Sequence, residues 1–329
     1  MAYTALYREF RPKTFGEMVG QEHITKTLRN QIIANRVGHA YLLNGGRGTG
    51  KTSSAKILAR AINCLNPKDG EPCNECEICK GILSGSITDV VEMDAASNNS
   101  VEDVREIREA VNFLPTKAKY RVYIIDEVHM LSTGAFNALL KTLEEPPAHV
   151  KFFLATTEPQ KLPATILSRC QRFDYKKISE EDVIKRLKII CDSSEIKIDE
   201  EALKIMAVLS EGHMRDAISI LERCSQENSE KITIEEVKEM TDVDTVEYKN
   251  DIKVHIGFEV EYCENNRIAI TGRPALVDSN TPLDELIYEL LHGIDNGALP
   301  LEEEQRRMAE LMARRGSQGY GRGLRSADV

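Results

Sequence analysis

Gly45-Gly46-Arg47-Gly48-Thr49-Gly50-Lys51-Thr52 fits the pattern G-x-x-x-x-G-K-[ST]. The apolar run Ala40-Tyr41-Leu42-Leu43 precedes it and the helix-compatible run Ser53 to Asn63 follows, which is the strand, loop, helix context that a phosphate-binding loop requires. The chemistry follows from the backbone. Gly45, Gly46, Gly48 and Gly50, with Thr49 among them, let the chain curl so that successive N–H groups and the positive end of the next helix face one anion. Lys51 adds a point charge, and the Thr52 hydroxyl can ligate Mg²⁺. A glycine-rich turn that binds nothing is the plainer alternative, but a bare turn has no need of Lys-Thr at a helix start.

Working outward, Tyr120-Arg121-Val122-Tyr123-Ile124-Ile125-Asp126-Glu127 is an apolar strand ending in two acids. An isolated Asp-Glu after a strand is usually a loop cap. Beside a Lys51-Thr52 loop, the same pair can hold Mg²⁺ through Asp126 and polarise an attacking water through Glu127. A further strand, Val150 to Ala155, ends in Thr156-Thr157, where a polar side chain can reach that water. Between them Gly134 to Glu145 reads as a helix stopped by Pro146-Pro147; upstream of Tyr120, Ile87 to Met93 reads as a strand followed by a helix over Val101 to Phe113. Asn99 and Ser100 are candidate N-caps of that helix. Ordinary capping outweighs a DNA-phosphate site there, for which Arg105 and Arg108 would be the companions.

Composition sets the frame. A chain of 329 residues, 41% hydrophobic and 29% charged, suits a soluble protein of two or three domains. No apolar run is long enough to cross a membrane, and Met1 to Phe10 lacks the apolar core of a signal peptide, so the cytoplasm is the expected compartment. A net charge of −10 argues against coating nucleic acid by bulk attraction, although a local basic face remains compatible with it.

With no export signal, eight cysteines point to metal or free thiols before disulfides. Cys64 is followed by Cys73-Asn-Glu-Cys76-Glu-Ile-Cys79 across a loop holding Pro67, Gly70 and Pro72. The overlapping C-x-x-C pairs suit a knuckle that Cys64 can complete as a tetrahedral Zn²⁺ site, structural because no position is left for water. A redox C-x-x-C and unrelated thiols are the competing readings. Cys170, Cys191, Cys224 and Cys263 are scattered and read as buried small hydrophobes.

Beyond Tyr175 the pattern is helical. Ser179 to Asp182 and Thr233 to Glu236 resemble capping boxes, and Ile184, Leu187, Ile190, Leu203, Met206, Leu209, Ile218 and Leu221 form stripes. Gly212-His213-Met214-Arg215-Asp216 opens a helix whose Arg215 could reach back to the phosphates, with His213 as a cap or loop residue.

Together, Phe10-Arg11-Pro12, Val19-Gly20-Gln21, the phosphate loop, the four cysteines, Asp126-Glu127, Ser168-Arg169-Cys170 and Gly212 to Asp216 resemble one family from about Tyr3 to about Asp242. It is the gamma/tau subunit family of the bacterial DNA polymerase III clamp loader, which are AAA+ ATPases. The resemblance implies an α/β fold: a P-loop AAA+ parallel sheet flanked by helices in a core over 1–178, a zinc-knuckle insertion at 64–79, and a helical lid over 179–242. It implies ATP, Mg²⁺ and Zn²⁺ as cofactors. Lys51 would contact the β- and γ-phosphates, Thr52 and Asp126 would organise Mg²⁺, Glu127 would activate water, and the region around Val19 would house adenine. Thr157 resembles sensor 1, Arg215 sensor 2, and Arg169 the arginine finger that acts on ATP in an adjacent subunit. The implied partners are other clamp-loader subunits, a sliding clamp and primed DNA, with no membrane. The implied cycle has ATP closing a spiral of subunits on an opened clamp and DNA, which hydrolysis then releases.

After the lid the family continues into a helical collar, which Asp244 onward does not resemble. Asp251 to Glu261 alternates as a strand with one buried face, a second strand at Arg267 to Thr271 follows the turn Glu264-Asn265-Asn266, and helices are expected from Thr281 to about Gly293 and over Leu301 to Arg315. Residues 243–313 therefore read as an unassigned α+β segment and 314–329 as a flexible, basic, glycine-rich tail. Hetero-oligomerisation is expected if that segment permits assembly. The alternatives are a solitary or chimeric AAA+ ATP-binding module lacking the collar, with another oligomerisation or partner surface, and an interaction module that binds ATP with little turnover.

Overall fold

The apolar run before the phosphate loop forms β1 (Ala40–Asn44), at the interior of a five-stranded parallel sheet with β2 (Val90–Asp94), β3 (Arg121–Asp126), β4 (Val150–Thr156) and β5 (Gln171–Asp174). The order is β2-β3-β4-β1-β5, with Leu42 level with Leu154 and with Arg172. The computed structural model describes residues 5–226, 231–241, 259–263 and 267–272. The chain divides into two compact units, Met1–Val237 and Lys238–Val329.

Strand alternation explains why the sheet has two apolar faces. Tyr41 and Leu43 of β1 and Phe153 and Ala155 of β4 pack with α2 (Glu22–Ile33) and α3 (Lys51–Asn63), through Ile24, Leu28, Ile57 and Leu58. Ala40, Leu42, Phe152 and Leu154 point the other way, onto α5 (Val101–Ala110), α6 (Thr133–Glu144) and α7 (Ala164–Leu167). Every residue of β4 is buried, as expected for a central parallel strand. Tyr41 meets Phe153 edge-on at 5.6 Å, and Tyr123 stacks on Phe152 at 5.4 Å.

The first unit also contains α1 (Leu6–Glu9), α4 (Glu77–Ser84), α8 (Glu180–Ser193), α9 (Glu200–Leu209) and α10 (Met214–Gln226). Ser179 caps α8, its Oγ accepting from the Asp182 amide. Helix α11 (Ile234–Thr241) carries the expected box, in which Glu236 accepts from the Thr233 amide at 2.9 Å. Val183, rather than Ile184, joins Leu187 and Ile190 on the buried face of α8.

Two element boundaries differ from the apolar pattern, as does the burial of one cysteine. Strand β2 starts at Val90, because the buried Ile87 belongs to the turn after α4 and its amide bonds Gly81 O. Helix α5 ends at Ala110, leaving Phe113 and Leu114 in the loop before Pro115 at 68% and 74% exposure; a residue before proline is pushed out of the helical region. Cys170 is only half-buried, whereas Cys191 and Cys224 are buried as expected.

In the second unit, β6 (Glu259–Cys263) and β7 (Arg267–Gly272) pair antiparallel, matching the expected hairpin. The first part of the strand expected from Asp251, both later helices, the tail and the Cys263 side chain lie outside the described residues.

Candidate nucleotide site and cysteine centre

The phosphate loop lies between β1 and α3, at the carboxyl ends of the parallel strands, where open α/β sheets hold their ligands. Gly50 caps α3 with φ 102, a backbone conformation that penalises any side chain. A Cβ there would also stand 2.6 Å from Met18 Cε. Gly48, Thr49, Gly50, Lys51 and Thr52 line a cavity of about 650 Å³, a volume ordinary for small-ligand sites. Gly45 and Gly46 are not among the lining residues; their carbonyls accept from Lys51 Nζ at 2.8 and 2.7 Å. Burial lowers the Lys51 pKa, while Glu127 and Asp126 pull the other way.

Two acids close the far side. Thr52 Oγ1 donates to Asp126 Oδ2 at 2.6 Å, so the two candidate Mg²⁺ ligands meet where the first turn of α3 faces the end of β3. Glu127 follows with φ 46 and ψ 45, a left-handed conformation that is uncommon and costly for a side chain of its size. Its Oε2 accepts from Thr157 Oγ1 at 3.0 Å. Thr157 thus stands behind the carboxylate, just past the end of β4.

Val19 lines the same cavity with Phe10, Pro12, Met18, Ile178 and Ile218, which gives it an apolar part beside the phosphate loop. Arg215 reaches it from the first turn of α10. Its guanidinium stands 4.7 Å above the Tyr7 ring, and a Cβ on Gly48 would lie 3.3 Å from Arg215 Cβ. His213 precedes that helix and faces Gly46, consistent with a loop residue. Arg169 is not among the residues lining the cavity. It donates to Glu144 Oε1 at 2.7 Å and to Thr165 O at 2.8 Å on the surface.

Several residues here carried no individual signal in the sequence. Arg11 Nε donates to Ser53 Oγ at 3.1 Å, and Lys56 pairs with Glu92 at the cavity edge. His129 is the most informative omission. Its Nδ1 lies 3.0 Å from Thr156 Oγ1 and 3.5 Å from Glu127 Oε2, while Nε2 is 3.2 Å from Glu158 Oε1. Only its place two residues after Glu127 could have flagged it. At the start of α5, Ser100 and Asp103 form a reciprocal capping box and Arg105 pairs with Glu102, the ordinary capping arrangement.

The sulfurs of Cys64, Cys73, Cys76 and Cys79 all lie within 4.8 Å of one another. Cys64 ends α3 and Cys76 caps α4. Amides of Cys73, Cys76 and Cys79 point at the sulfurs of Cys64, Cys73 and Cys76, at 3.3, 3.3 and 3.4 Å. Such donors favour thiolates. Burial works against ionisation of Cys76, yet the amides of Cys79 and Leu65 and the adjoining thiols bring its pKa down to about 6; burial drives Cys79 upward. A four-thiol set with no disulfide among its members fits Zn²⁺ by donor chemistry and number.

Fold and site together define a P-loop protein of the AAA+ class. The solved structure of the Thermotoga maritima RuvB Holliday junction branch migration motor is similar in fold, with a TM-score of 0.54 at 20% identity, covering 74% of this chain and 80% of that one. The family described as DNA polymerase III, delta subunit, matches residues 20–179. DNA polymerase III subunit tau of Bacillus subtilis is 56% identical over 236 residues, 72% of this chain and 42% of that protein. The tau subunit of Escherichia coli is 45% identical over 240 residues, 73% of this chain and 37% of that protein. DNA polymerase III subunit gamma of Buchnera aphidicola is 46% identical over 240 residues, 73% of this chain and 66% of that protein. Over the aligned region, the chain belongs to the DNA polymerase III gamma/tau family. It spans well under half the length of either tau relative. No helix among the described residues is long and apolar enough to cross a membrane.

Proposed function

We propose that the chain is an ATPase subunit of a DNA polymerase clamp loader, using ATP binding and hydrolysis to place a sliding clamp on primed DNA in the cytoplasm. The observation that carries this reading is the convergence of Lys51, Thr52, Asp126 and Glu127 on one cavity with Arg215 at its rim. In the proposed roles, the amides of Gly48 to Thr52 and Lys51 hold the phosphates, and Thr52 and Asp126 hold Mg²⁺, which would neutralise phosphate charge. Glu127 accepts a proton from the attacking water, Thr157 fixes the angle of Glu127, Val19 borders adenine and Arg215 reports nucleotide state to α10. Cys64, Cys73, Cys76 and Cys79 hold a structural Zn²⁺.

Arg169 is proposed to act on ATP in an adjacent subunit, because its place outside its own cavity leaves it available in trans. Turnover then requires assembly with other clamp-loader subunits. Mass measurement with and without ATP, joined to an ATPase assay with clamp and primed DNA, tests the proposal. ATP-dependent assembly with clamp-stimulated turnover is expected, and a chain that binds no ATP would overturn it. ATP binding by a monomer without turnover would instead select the interaction module that binds ATP with little turnover. The solitary-module alternative draws on the β6–β7 hairpin of the second unit, in a stretch that does not resemble the family's collar.

A further inference from the structure

The cysteine centre is joined to the nucleotide cavity by side chains that neither a metal site nor a phosphate loop requires. The segment Lys13 to Val19 leads to the apolar wall, and the 3-10 turn Phe15–Glu17 within it begins at Thr14, which makes no side-chain cap. The cap comes from the knuckle. Glu71, two residues before Cys73, accepts from the Phe15 amide at 2.7 Å and from the Gly16 amide at 3.0 Å, one carboxylate oxygen to each. These are charge-assisted bonds to amides that the turn leaves without partners.

A second tie holds the other end. The Lys13 carbonyl accepts from Arg60 at 2.8 Å and from Asn74 at 3.2 Å, and Arg60 Nε also donates to Asn74 Oδ1 at 3.1 Å. Asn74 stands between Cys73 and Cys76 in the left-handed conformation, φ 56. Arg60, 4% exposed, belongs to α3, which starts at Lys51 and has Cys64 as its C-cap. Glu71 is itself fixed: its backbone pairs both ways with Lys68, and Arg29 lies 3.6 Å from its carboxylate. Beyond the turn, Met18 and Val19 line the cavity, and Met18 Sδ accepts from Ser54 Oγ at 3.3 Å.

We infer that the cysteine knuckle positions the base side of the nucleotide cavity, with Glu71 as the positioning residue that fixes the Phe15–Glu17 turn leading into Met18 and Val19. This rests on the proposed placement of adenine against Val19. A metal held by Cys73, Cys76 and Cys79 would stiffen the knuckle and so favour ATP over a ligand that lacks the base, since the carboxylate of Glu71 bonds the Phe15 and Gly16 amides and no group of Gly45 to Thr52.

The test uses the full chain and Glu71→Ala, with Glu71→Gln, which keeps one acceptor oxygen, as the milder variant. Binding of a fluorescent ATP analogue is competed with ATP and with inorganic tripolyphosphate, while bound zinc and thermal melting are measured on the same samples. Glu71→Ala is expected to weaken ATP by about tenfold, as loss of charge-assisted bonds would, with tripolyphosphate affinity and zinc content unchanged. Glu71→Gln should fall between, and chelation of the unaltered chain should reproduce the ATP-selective loss. Equal ATP affinity in all forms overturns the inference, as does a parallel loss of ATP and tripolyphosphate in both variants. An unaltered chain that binds no ATP overturns the nucleotide reading, and this inference with it.

Discussion

Thr157 Oγ1 donates to Glu127 Oε2 at 3.0 Å, linking the residue after β4 to a left-handed glutamate after β3. The bond sets the direction of a carboxylate whose backbone cannot easily adopt another course. Glu127→Gln is expected to keep ATP affinity and to lower turnover of the assembled complex by about 10²- to 10³-fold, the share ordinarily lost with a general base. Thr157→Val should lower kcat with little change in KM, read by steady-state kinetics on the same complex. Unchanged kcat in either variant would remove that residue from the mechanism.

The Thr52–Asp126 contact at 2.6 Å brings two oxygens together where a hard cation would be held. Thr52→Val removes the hydroxyl at nearly constant volume. Its ATP affinity should become almost independent of Mg²⁺, whereas the unaltered chain should bind more weakly in chelator. Isothermal titration with and without Mg²⁺ measures the difference.

Arg169 sits on the surface, paired with Glu144. Exposed pairs of this kind contribute less than about 1 kcal/mol, so Arg169→Ala should leave the melting temperature nearly unchanged. Its effect is expected in turnover alone, with ATP binding intact. Retained turnover in the assembled variant would exclude a finger acting in trans.

Metal analysis after mild purification should return zinc in stoichiometric amount, and Cys76→Ser should lose it and melt at lower temperature, because closing a four-thiolate site contributes directly to folding. Absence of zinc from the unaltered chain would leave the free-thiol reading.

Asp89 is 1% exposed and its carboxylate accepts from the amides of Thr116, Lys117 and Ala118 at 2.8, 2.8 and 3.0 Å. Burial acts to raise its pKa, but the three amides and Arg121 outweigh it and hold it below the ordinary carboxylate value. A depressed folded-state pKa gives stability that is present above the unfolded carboxylate range, near pH 4, and lost as pH falls through the lower folded value. Asp89→Asn should cost about 2 kcal/mol at neutral pH, and denaturant titration should show the difference from the unaltered chain shrinking in acid.

The strands, the phosphate loop and the cysteine spacing were readable because each is written in contiguous residues: an apolar run, a glycine pattern, a repeated C-x-x-C. Boundaries were less so. The apolar Ile87 and Phe113 extend a pattern without extending the element, since a turn under Gly81 and a proline at 115 decide where hydrogen bonding starts and stops. His129 was missed because its meaning comes from Thr156 and Glu158, which meet it only once β3 and β4 are neighbours.

By itself, the sequence determined that this chain folds a phosphate loop between a strand and a helix, carries two acids at another strand end, and brings thiols close enough in the chain to share a metal. Local bonding suffices for each of these. Tertiary structure alone decided that Thr52 meets Asp126 across 74 residues, that Thr157 restrains Glu127, and that Glu71 reaches Phe15 across 56. Those relationships depend on sheet order and on the packing of a loop against a distant turn, and no spacing along the chain records either.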